Sequence, residues 1–180
     1  LQTTKTYPQA DLFINVEKPD GSVVKIPAKT DQSGIAKLDL YDYHTRRAGV
    51  YKVSAHLKDS NVVGQVSTFN VYPDEVSVDQ SSVVASRSVA RTNGDEVYVS
   101  VNVRDQYGNP FPGHQIHVIS SRSVDTIDLP KSNSITDENG NLTFTVSSNQ
   151  PGVSIFSAVD VTENVVLSSK AQVGFMSSSN

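Results

Sequence analysis

The sequence contains no cysteine and no tryptophan. The absence of cysteine excludes disulfide frameworks, thiolate nucleophiles and zinc–thiolate sites. Secreted eukaryotic β-sandwiches often join their two sheets by a disulfide that packs against a buried Trp. A β-rich chain that lacks both residues therefore favours a bacterial or archaeal surface protein over a secreted eukaryotic one.

Long apolar runs and an excess of positive charge are also missing. No stretch approaches the roughly 18 consecutive apolar residues that a membrane-spanning helix needs. The formal net charge is −4, which gives no general attraction to nucleic acids or to anionic membrane surfaces. We therefore expect no nucleic-acid partner and no membrane insertion within this stretch of chain.

Apolar residues alternate with polar residues along much of the chain. The runs 12–16, 51–57 and 97–103 place apolar side chains at every second position, which is the period of a half-buried strand. Gly, Pro, Asp and Asn fall between such runs at short intervals, as the turns of antiparallel sheets require. We find no amphipathic helix of useful length. The sequence therefore predicts an all-β protein.

A five-residue pattern occurs twice in the chain. Thr30-Asp31-Gln32-Ser33-Gly34 returns as Thr136-Asp137-Glu138-Asn139-Gly140, and β-type alternation follows both copies. A further glycine, Gly49 after the first copy and Gly152 after the second, then opens another strand. A repeat on this scale predicts two similar β-domains in series.

The boundary between the two domains is predicted near Tyr72, where one strand ends and Pro73 interrupts pairing. A linker of a few residues with Pro and charge would hold the domains end to end with limited bending. The predicted division is 1–72 for the first domain, 73–75 for the linker, 76–176 for the second domain and 177–180 for a tail or further linker.

The spacing of the landmarks makes the two halves unequal. If Gly21 is matched with Gly108, the offset is 87 residues, whereas the repeated pattern is offset by 106. The difference of 19 residues is assigned to 111–131 as one additional strand, Ile116–Ile119, and a loop. The first half also has less sequence ahead of its first strand. Either the first domain has fewer strands, or the sequence begins inside it.

The second half resembles the bacterial Ig-like domains of the invasin and intimin type, over about residues 75–176. The residues that carry the resemblance are Val101–Pro110 with Gly113, Ile116 and Val118, and Ile135–Gly140 with Gly152 and Ala158. The first half shares only the later landmarks. It is similar to a degenerate Ig-like domain or to a macroglobulin-like sandwich.

The resemblance implies two tandem immunoglobulin-like β-sandwich domains in an extracellular stalk of the adhesin or surface-layer type. In such adhesins, host binding belongs largely to a specialised terminal module, and nothing in this chain matches one. The implied partners are neighbouring Ig-like domains of the same chain. Lateral self-association and a host or cell-surface ligand remain as further options.

Acidic turn residues are the candidates for a metal site. Asp137 and Asn139 place oxygen ligands beside a glycine, while Asp74 and Glu75 lie at the predicted junction, where a calcium ion could stiffen the chain. However, the pattern lacks the ligand spacing of an EF-hand loop, and turns select Asp and Asn for conformational reasons alone. The preferred prediction is no cofactor, with calcium as the alternative.

Two other sets of side chains are candidates for recognition or catalysis. Tyr41 and Tyr43 lie on one face of a possible strand, where they could stack on a sugar or, in the favoured interpretation, pack at a sandwich edge. His114 and His117 would face opposite sides of a strand and could not share a metal, and both are expected at exposed positions. No nucleophile motif accompanies them, so we predict no catalytic site.

These observations favour a non-enzymatic spacer or display module of a prokaryotic cell-surface protein. The alternative is a carbohydrate- or protein-binding accessory module of a larger exported enzyme, with Tyr41 and Tyr43 as its binding residues. The full-length sequence would distinguish the two, because further repeats indicate a stalk and an adjoining catalytic domain indicates an accessory.

Overall fold

The computed structural model describes residues 5–130 and 132–178. Within these ranges the chain forms twelve β-strands and a single 3₁₀ turn, Asp42–His44, so the predicted all-β fold is confirmed. None of these residues belongs to a helix long and apolar enough to cross a membrane. The chain divides into two compact units, Leu1–Tyr72 and Pro73–Asn180.

The first unit contains one antiparallel sheet of four strands. The strands are β1 (Asp11–Glu17), β2 (Val23–Lys29), β3 (Gly49–Leu57) and β4 (Ser67–Val71), in the spatial order β2-β1-β3-β4. Alternation along β1 buries Leu12, Ile14 and Val16, as predicted. Tyr51 of β3 is fully buried, and its ring stacks on Phe69 with 5.1 Å between the centroids.

A segment without strand structure covers this sheet. Residues 35–41 alternate between exposed and half-buried side chains. Ala36, Leu38 and Leu40 are the half-buried residues, and they pack against the buried side chains of the sheet. The first unit is therefore a reduced sandwich, in which a coil takes the place of the second sheet.

The second unit is a sandwich of two complete sheets. Its strands are β5 (Ser82–Ala85), β6 (Val89–Arg91), β7 (Val97–Asn102), β8 (Ile116–Ser120), β9 (Asp125–Asp128), β10 (Asn141–Ser148), β11 (Gly152–Asp160) and β12 (Val165–Met176). One sheet has the order β5-β7-β10-β9 and the other β6-β12-β11-β8. Inward rows from both sheets form the core, and the four valines predicted to face inward in 97–103 are fully buried.

In both units a threonine hydroxyl ties together two stretches of backbone that are distant in the sequence. In each unit the hydroxyl donates a hydrogen bond to one backbone carbonyl and accepts one from the N–H group of the residue three positions after that carbonyl. The bonds are those of Thr30 Oγ1 to the carbonyl of Tyr7 (2.5 Å) and the N–H of Ala10 (2.8 Å), and those of Thr136 Oγ1 to the carbonyl of Phe111 (2.7 Å) and the N–H of His114 (2.9 Å). We call this arrangement the threonine latch.

The threonine latch corrects the alignment of the two halves. It places Tyr7-Pro8 opposite Phe111-Pro112, so that β1 and β2 correspond in chain order to β8 and β9. The predicted match of Gly21 with Gly108 is therefore wrong. The stretch 111–131 holds two strands rather than one, and it is not an insertion. The additional length of the second unit lies in β5, β6 and β7, which have no counterpart among the residues described in the first unit.

Candidate functional site

Three Asp-x-x-Gly turns share one hydrogen-bonding pattern. In each turn, one carboxylate oxygen accepts the N–H groups of the residues two and four positions later. The aspartates are Asp31, Asp105 and Asp137, with Oδ1···N distances of 2.8 to 3.0 Å, and the glycines Gly34, Gly108 and Gly140 have φ angles of +80°, +83° and +71°. This is the conformational role for which turns select Asp and Gly.

The four calcium candidates lie in or beside these turns. Asp137 accepts the N–H of Asn139 at 2.9 Å. The N–H of Asp74 donates to Asp105 Oδ2 at 3.1 Å, and the Asp74 carboxylate accepts a side-chain amide at 2.7 Å, while Glu75 is exposed. Within 5–130 and 132–178, no three or more His, Cys, Asp or Glu side chains are grouped to hold a metal ion. Calcium binding by these residues stays a prediction.

The Asp105 carboxylate is the most heavily bonded group in these turns. It is fully buried and accepts hydrogen bonds from the Asn109 side-chain amide (2.8 Å) and from the backbone N–H groups of Asp74, Tyr107 and Asn109. Burial by itself raises the pKa of Asp105, but these donors outweigh burial and hold the pKa below its usual value. Because Asp74 lies in the predicted linker 73–75, this network fixes part of that linker to the second unit.

A guanidinium group bridges the two sheets of the second unit. Arg122 Nη2 donates to Asp125 Oδ1 (2.8 Å), Ser148 Oγ (2.9 Å) and the carbonyl of Gln150 (3.0 Å), Nη1 donates to the carbonyl of Pro151 (2.9 Å), and Nε donates to Ser154 Oγ (2.9 Å). Burial raises the pKa of Asp125, but the bonds from Arg122 and Ser120 lower it below its usual value. The sequence carries no motif around Arg122 that indicates this arrangement.

His114 is not exposed, contrary to the expectation from sequence. Its Nδ1 lies 2.6 Å from Asp160 Oδ2, and the exposed fractions of the two side chains are 12% and 0%. The other oxygen of Asp160 accepts the N–H of Glu163 at 3.1 Å, and the His114 ring packs on Phe111. This His–Asp pair therefore joins the region of the threonine latch to the end of β11. His117 lies within β8 with its side chain exposed.

Tyr41 and Tyr43 form a stacked pair on the surface. The interpretation of this stretch as a strand is wrong, because Tyr41 precedes the 3₁₀ turn Asp42–His44 and Tyr43 lies within it. The two rings are 5.8 Å apart at their centroids and 10° from parallel, and His44 contacts Tyr43 at 4.0 Å. Their side chains are 62% and 55% exposed. Packing at a sandwich edge and a ligand role for the pair both stay predictions.

Comparison with known proteins identifies the family of the second unit. A family model for the bacterial Ig-like domain (group 1) matches residues 79–176. No curated protein sequence matches the chain.

Three solved structures are similar over nearly the whole chain. Invasin, a bacterial integrin-binding protein, is 20% identical with a TM-score of 0.51 over 96% of this chain and 33% of its own. The Escherichia coli adhesin FdeC is 16% identical with a TM-score of 0.60 over 98% and 55%. InvD of Yersinia pseudotuberculosis is 12% identical with a TM-score of 0.58 over 96% and 49%.

These likenesses show the fold, and the chain spans between one third and just over half the length of the three proteins. The family model, in contrast, matches more than half of this chain. The chain therefore belongs to the group 1 family of bacterial Ig-like domains.

Proposed function

We propose that this chain is a non-enzymatic structural spacer, which resists extension, within a prokaryotic cell-surface protein of the adhesin or surface-layer type. It spaces or displays other modules of the same polypeptide outside the cell. Family membership supports this proposal, as do the descriptions of the similar proteins as an adhesin and an integrin-binding protein.

The observation that carries the proposal is one strand pair in the second unit. β6 runs parallel to the end of β12, and Val89 to Arg91 pair with Gly174 to Met176. The flanking bonds are Gly174 N–H to the carbonyl of Ser88 (2.8 Å) and Thr92 N–H to the carbonyl of Met176 (2.9 Å). Tension applied before β6 and after β12 pulls parallel strands in opposite directions along their length. All bonds of the ladder then share the load instead of opening in turn.

The polar side chains of the second unit support the same function. Arg122, Asp105 and the His114–Asp160 pair are each engaged in hydrogen bonds that fix turns or bridge sheets. Such bonds resist local distortion because breaking them leaves buried polar groups unpaired. The side chains best suited to catalysis or ligand binding are thus used to stiffen the module.

Single-molecule force spectroscopy on the full-length protein tests the proposal. Thr92→Pro removes one N–H donor of the loaded ladder, whereas Leu142→Ala removes core packing in β10 and leaves that ladder intact. We expect Thr92→Pro to lower the peak unfolding force of the second unit more than Leu142→Ala does, even where the two lower the free energy of unfolding equally. Unfolding forces that merely follow the free energies of unfolding would contradict a mechanical role for this strand pair.

The exposed Tyr41–Tyr43 stack supports the alternative of a binding accessory module. Aromatic rings in solvent offer flat faces of the kind that carry ligand contacts. A glycan array compares the native chain with the Tyr41→Ala/Tyr43→Ala double variant and with Tyr98→Ala, which removes another half-exposed ring. Reproducible binding that the double variant alone loses would replace the spacer proposal. Absence of binding by the native chain would remove carbohydrate binding from the alternative.

A further inference from the structure

The sheet of the first unit has a second face, which points away from the core. Since Leu12, Ile14 and Val16 of β1 face the core, the residues between them, Phe13 and Asn15, face outward. Both outward side chains are half-buried, because β1 lies between β2 and β3 and the side chains of those strands flank it. The spacer role uses neither of these two side chains.

The side-chain oxygen of Asn15 lacks a partner on this face. Asn15 lies directly opposite Lys25 of β2 and Ser54 of β3. Its Oδ1 atom is buried, yet it accepts no hydrogen bond from any residue that the structure describes. The Ser54 hydroxyl is bonded to His56 Nε2 instead, at 2.9 Å. A buried oxygen without a donor is costly, so binding of a ligand that supplies a donor is favoured.

Asn15 lines two depressions in the outer face. One has a volume of about 340 Å³ and contains the Lys52–Glu17 ion pair, so its charges balance. The other, which we call the Asn15 pocket, has a volume of about 420 Å³ and is also lined by Phe13, Lys25, His56 and Lys58. This volume lies within the range of small-molecule sites. The terminal torsion of Asn is broad and two-fold, so rotation of the amide presents either its oxygen or its NH₂ group to the pocket.

The Asn15 pocket carries a surplus of positive charge. Lys25 and Lys58 are exposed, and neither forms an ion pair within the described residues. Asp59 is the single carboxylate among the described residues that line the pocket, and it lies in the turn that follows β3. Two ammonium groups against one carboxylate favour an anionic ligand.

We propose that the Asn15 pocket binds one acidic sugar unit, a pyranose that carries a carboxylate. The carboxylate accepts charge-assisted hydrogen bonds from Lys25 and Lys58. A ring hydroxyl, which both donates and accepts, pairs with the Asn15 amide, and the apolar C–H face of the ring packs on Phe13. A bare anion would leave Asn15 and Phe13 unused, and a neutral sugar would leave the two lysines unused. This binding activity goes beyond the spacer role.

Two matched glycosides test the ligand class. Methyl β-glucuronide and methyl β-glucoside differ only at C6, where the first has a carboxylate and the second a hydroxymethyl group. In ¹H–¹⁵N NMR spectra of the 180-residue chain, we expect the glucuronide to shift the backbone amides of 13–15, 25 and 56–59 and the side-chain amide of Asn15. Its affinity should be about 10-fold higher than that of the glucoside, since it alone pairs with the lysines.

Three outcomes of this titration would overturn the proposal. The first is the absence of shifts at these positions, and the second is equal affinity for the two glycosides. The third is an equal affinity for acetate, which would identify a site for bare carboxylates rather than for a sugar.

Variants test the assignment of the residues. Asn15→Ala should lower the affinity for the glucuronide about 10-fold, and Lys25→Gln/Lys58→Gln should remove the preference for the glucuronide. Lys37→Gln, an exposed lysine outside the pocket, is the control and should change neither. The signals of the buried residues of β1 and β3 report whether each variant is folded.

The Tyr41→Ala/Tyr43→Ala variant separates this site from the aromatic stack. It should bind the glucuronide as the native chain does. Binding that this variant loses and that Lys25→Gln/Lys58→Gln retains would assign the sugar to the tyrosines and overturn the Asn15 pocket.

Discussion

The two units contain the same turn and the same threonine latch, yet the segment after the turn forms a strand in only one of them. β10 and 35–41 have equivalent apolar alternation, but β10 lies between β7 and β9, whereas 35–41 has no strand beside it among the described residues. The turn forms from hydrogen bonds within five residues, and the latch forms from two hydrogen bonds that span 20 to 25 residues. A strand requires a neighbour that pairs with its backbone, so strand formation depends on both partners and not on the sequence of one segment alone.

The same difference sets the size of the two cores. Among the described residues, four hydrophobic side chains are buried in the core of the first unit and sixteen in that of the second. The burial of ion pairs differs in the same direction. The Arg122–Asp125 pair of the second unit is largely buried, whereas the Lys52–Glu17 pair of the first unit is about half-exposed. Equivalent changes in the two units can therefore be compared by denaturant unfolding that resolves each unit.

The largest difference is expected at the central inward position after the turn. Phe144→Ala should lower the free energy of unfolding of the second unit by about 3–5 kcal/mol, as is typical of a buried Phe. Leu38→Ala at the equivalent position should cost the first unit about 1 kcal/mol, since the half-buried side chain loses less contact. Thr143→Ala, on the exposed face of β10, is the control. Similar losses for Phe144→Ala and Leu38→Ala would contradict the view that 35–41 is incompletely packed.

The threonine latch should behave alike in the two units. Thr30→Val and Thr136→Val preserve the side-chain shape but leave one carbonyl and one N–H without their hydroxyl partner. Each substitution should lower the free energy of unfolding of its own unit by about 1–3 kcal/mol. Thr126→Val, at an exposed position in β9, should have little effect. If Thr30→Val proved neutral while Thr136→Val did not, the latch would share its geometry across the units but not its energetic role.

Acid should destabilise the second unit more than the first. Asp105 and Asp125 have pKa values below the ordinary 3.8 in the folded state. Their contribution to stability is therefore complete above the unfolded pKa and is lost as the pH falls through the folded pKa. In the first unit, Asp20 and Asp42 also have lowered pKa values, but both are exposed to solvent, so their hydrogen bonds contribute little.

The urea midpoint of each unit, measured from about pH 6 down to about pH 2, checks this expectation. Asp125→Asn should flatten the acid dependence of the second unit, because the residue at 125 no longer titrates. Asp20→Asn should leave the acid dependence of the first unit nearly unchanged. Parallel acid profiles for the two native units would show that the buried carboxylates do not govern the response.

What could be predicted from the sequence was local. The repeated turn and the inward rows of β1 and β7 depend on residues within one or two turns or strands, and these predictions are confirmed. Arg122 joins Asp125, three residues away, to the stretch 148–154 that connects β10 and β11, and no sequence motif indicates that second contact. The alternation at Tyr41 and Tyr43 suggested a strand, but the 3₁₀ turn shows that alternation without a paired neighbour does not produce one. The missing information lay in partners that are distant in the chain.

The smallest expected effect concerns the exposed ion pair of the first unit. Lys52 Nζ lies 3.1 Å from Glu17 Oε1, and the two residues are direct cross-strand neighbours between β3 and β1. Lys52→Gln should lower the free energy of unfolding of the first unit by less than about 1 kcal/mol, because solvent screens an exposed pair. The loss should largely disappear at about 1 M salt, where the screening length is short.

Lys25→Gln, which removes an exposed Lys of β2 with no ion pair among the described residues, is the matched control. A larger loss that persists in salt would mean that the small first unit depends on its surface charges to hold β1 against β3, and the contrast with the buried pair of the second unit would then fail.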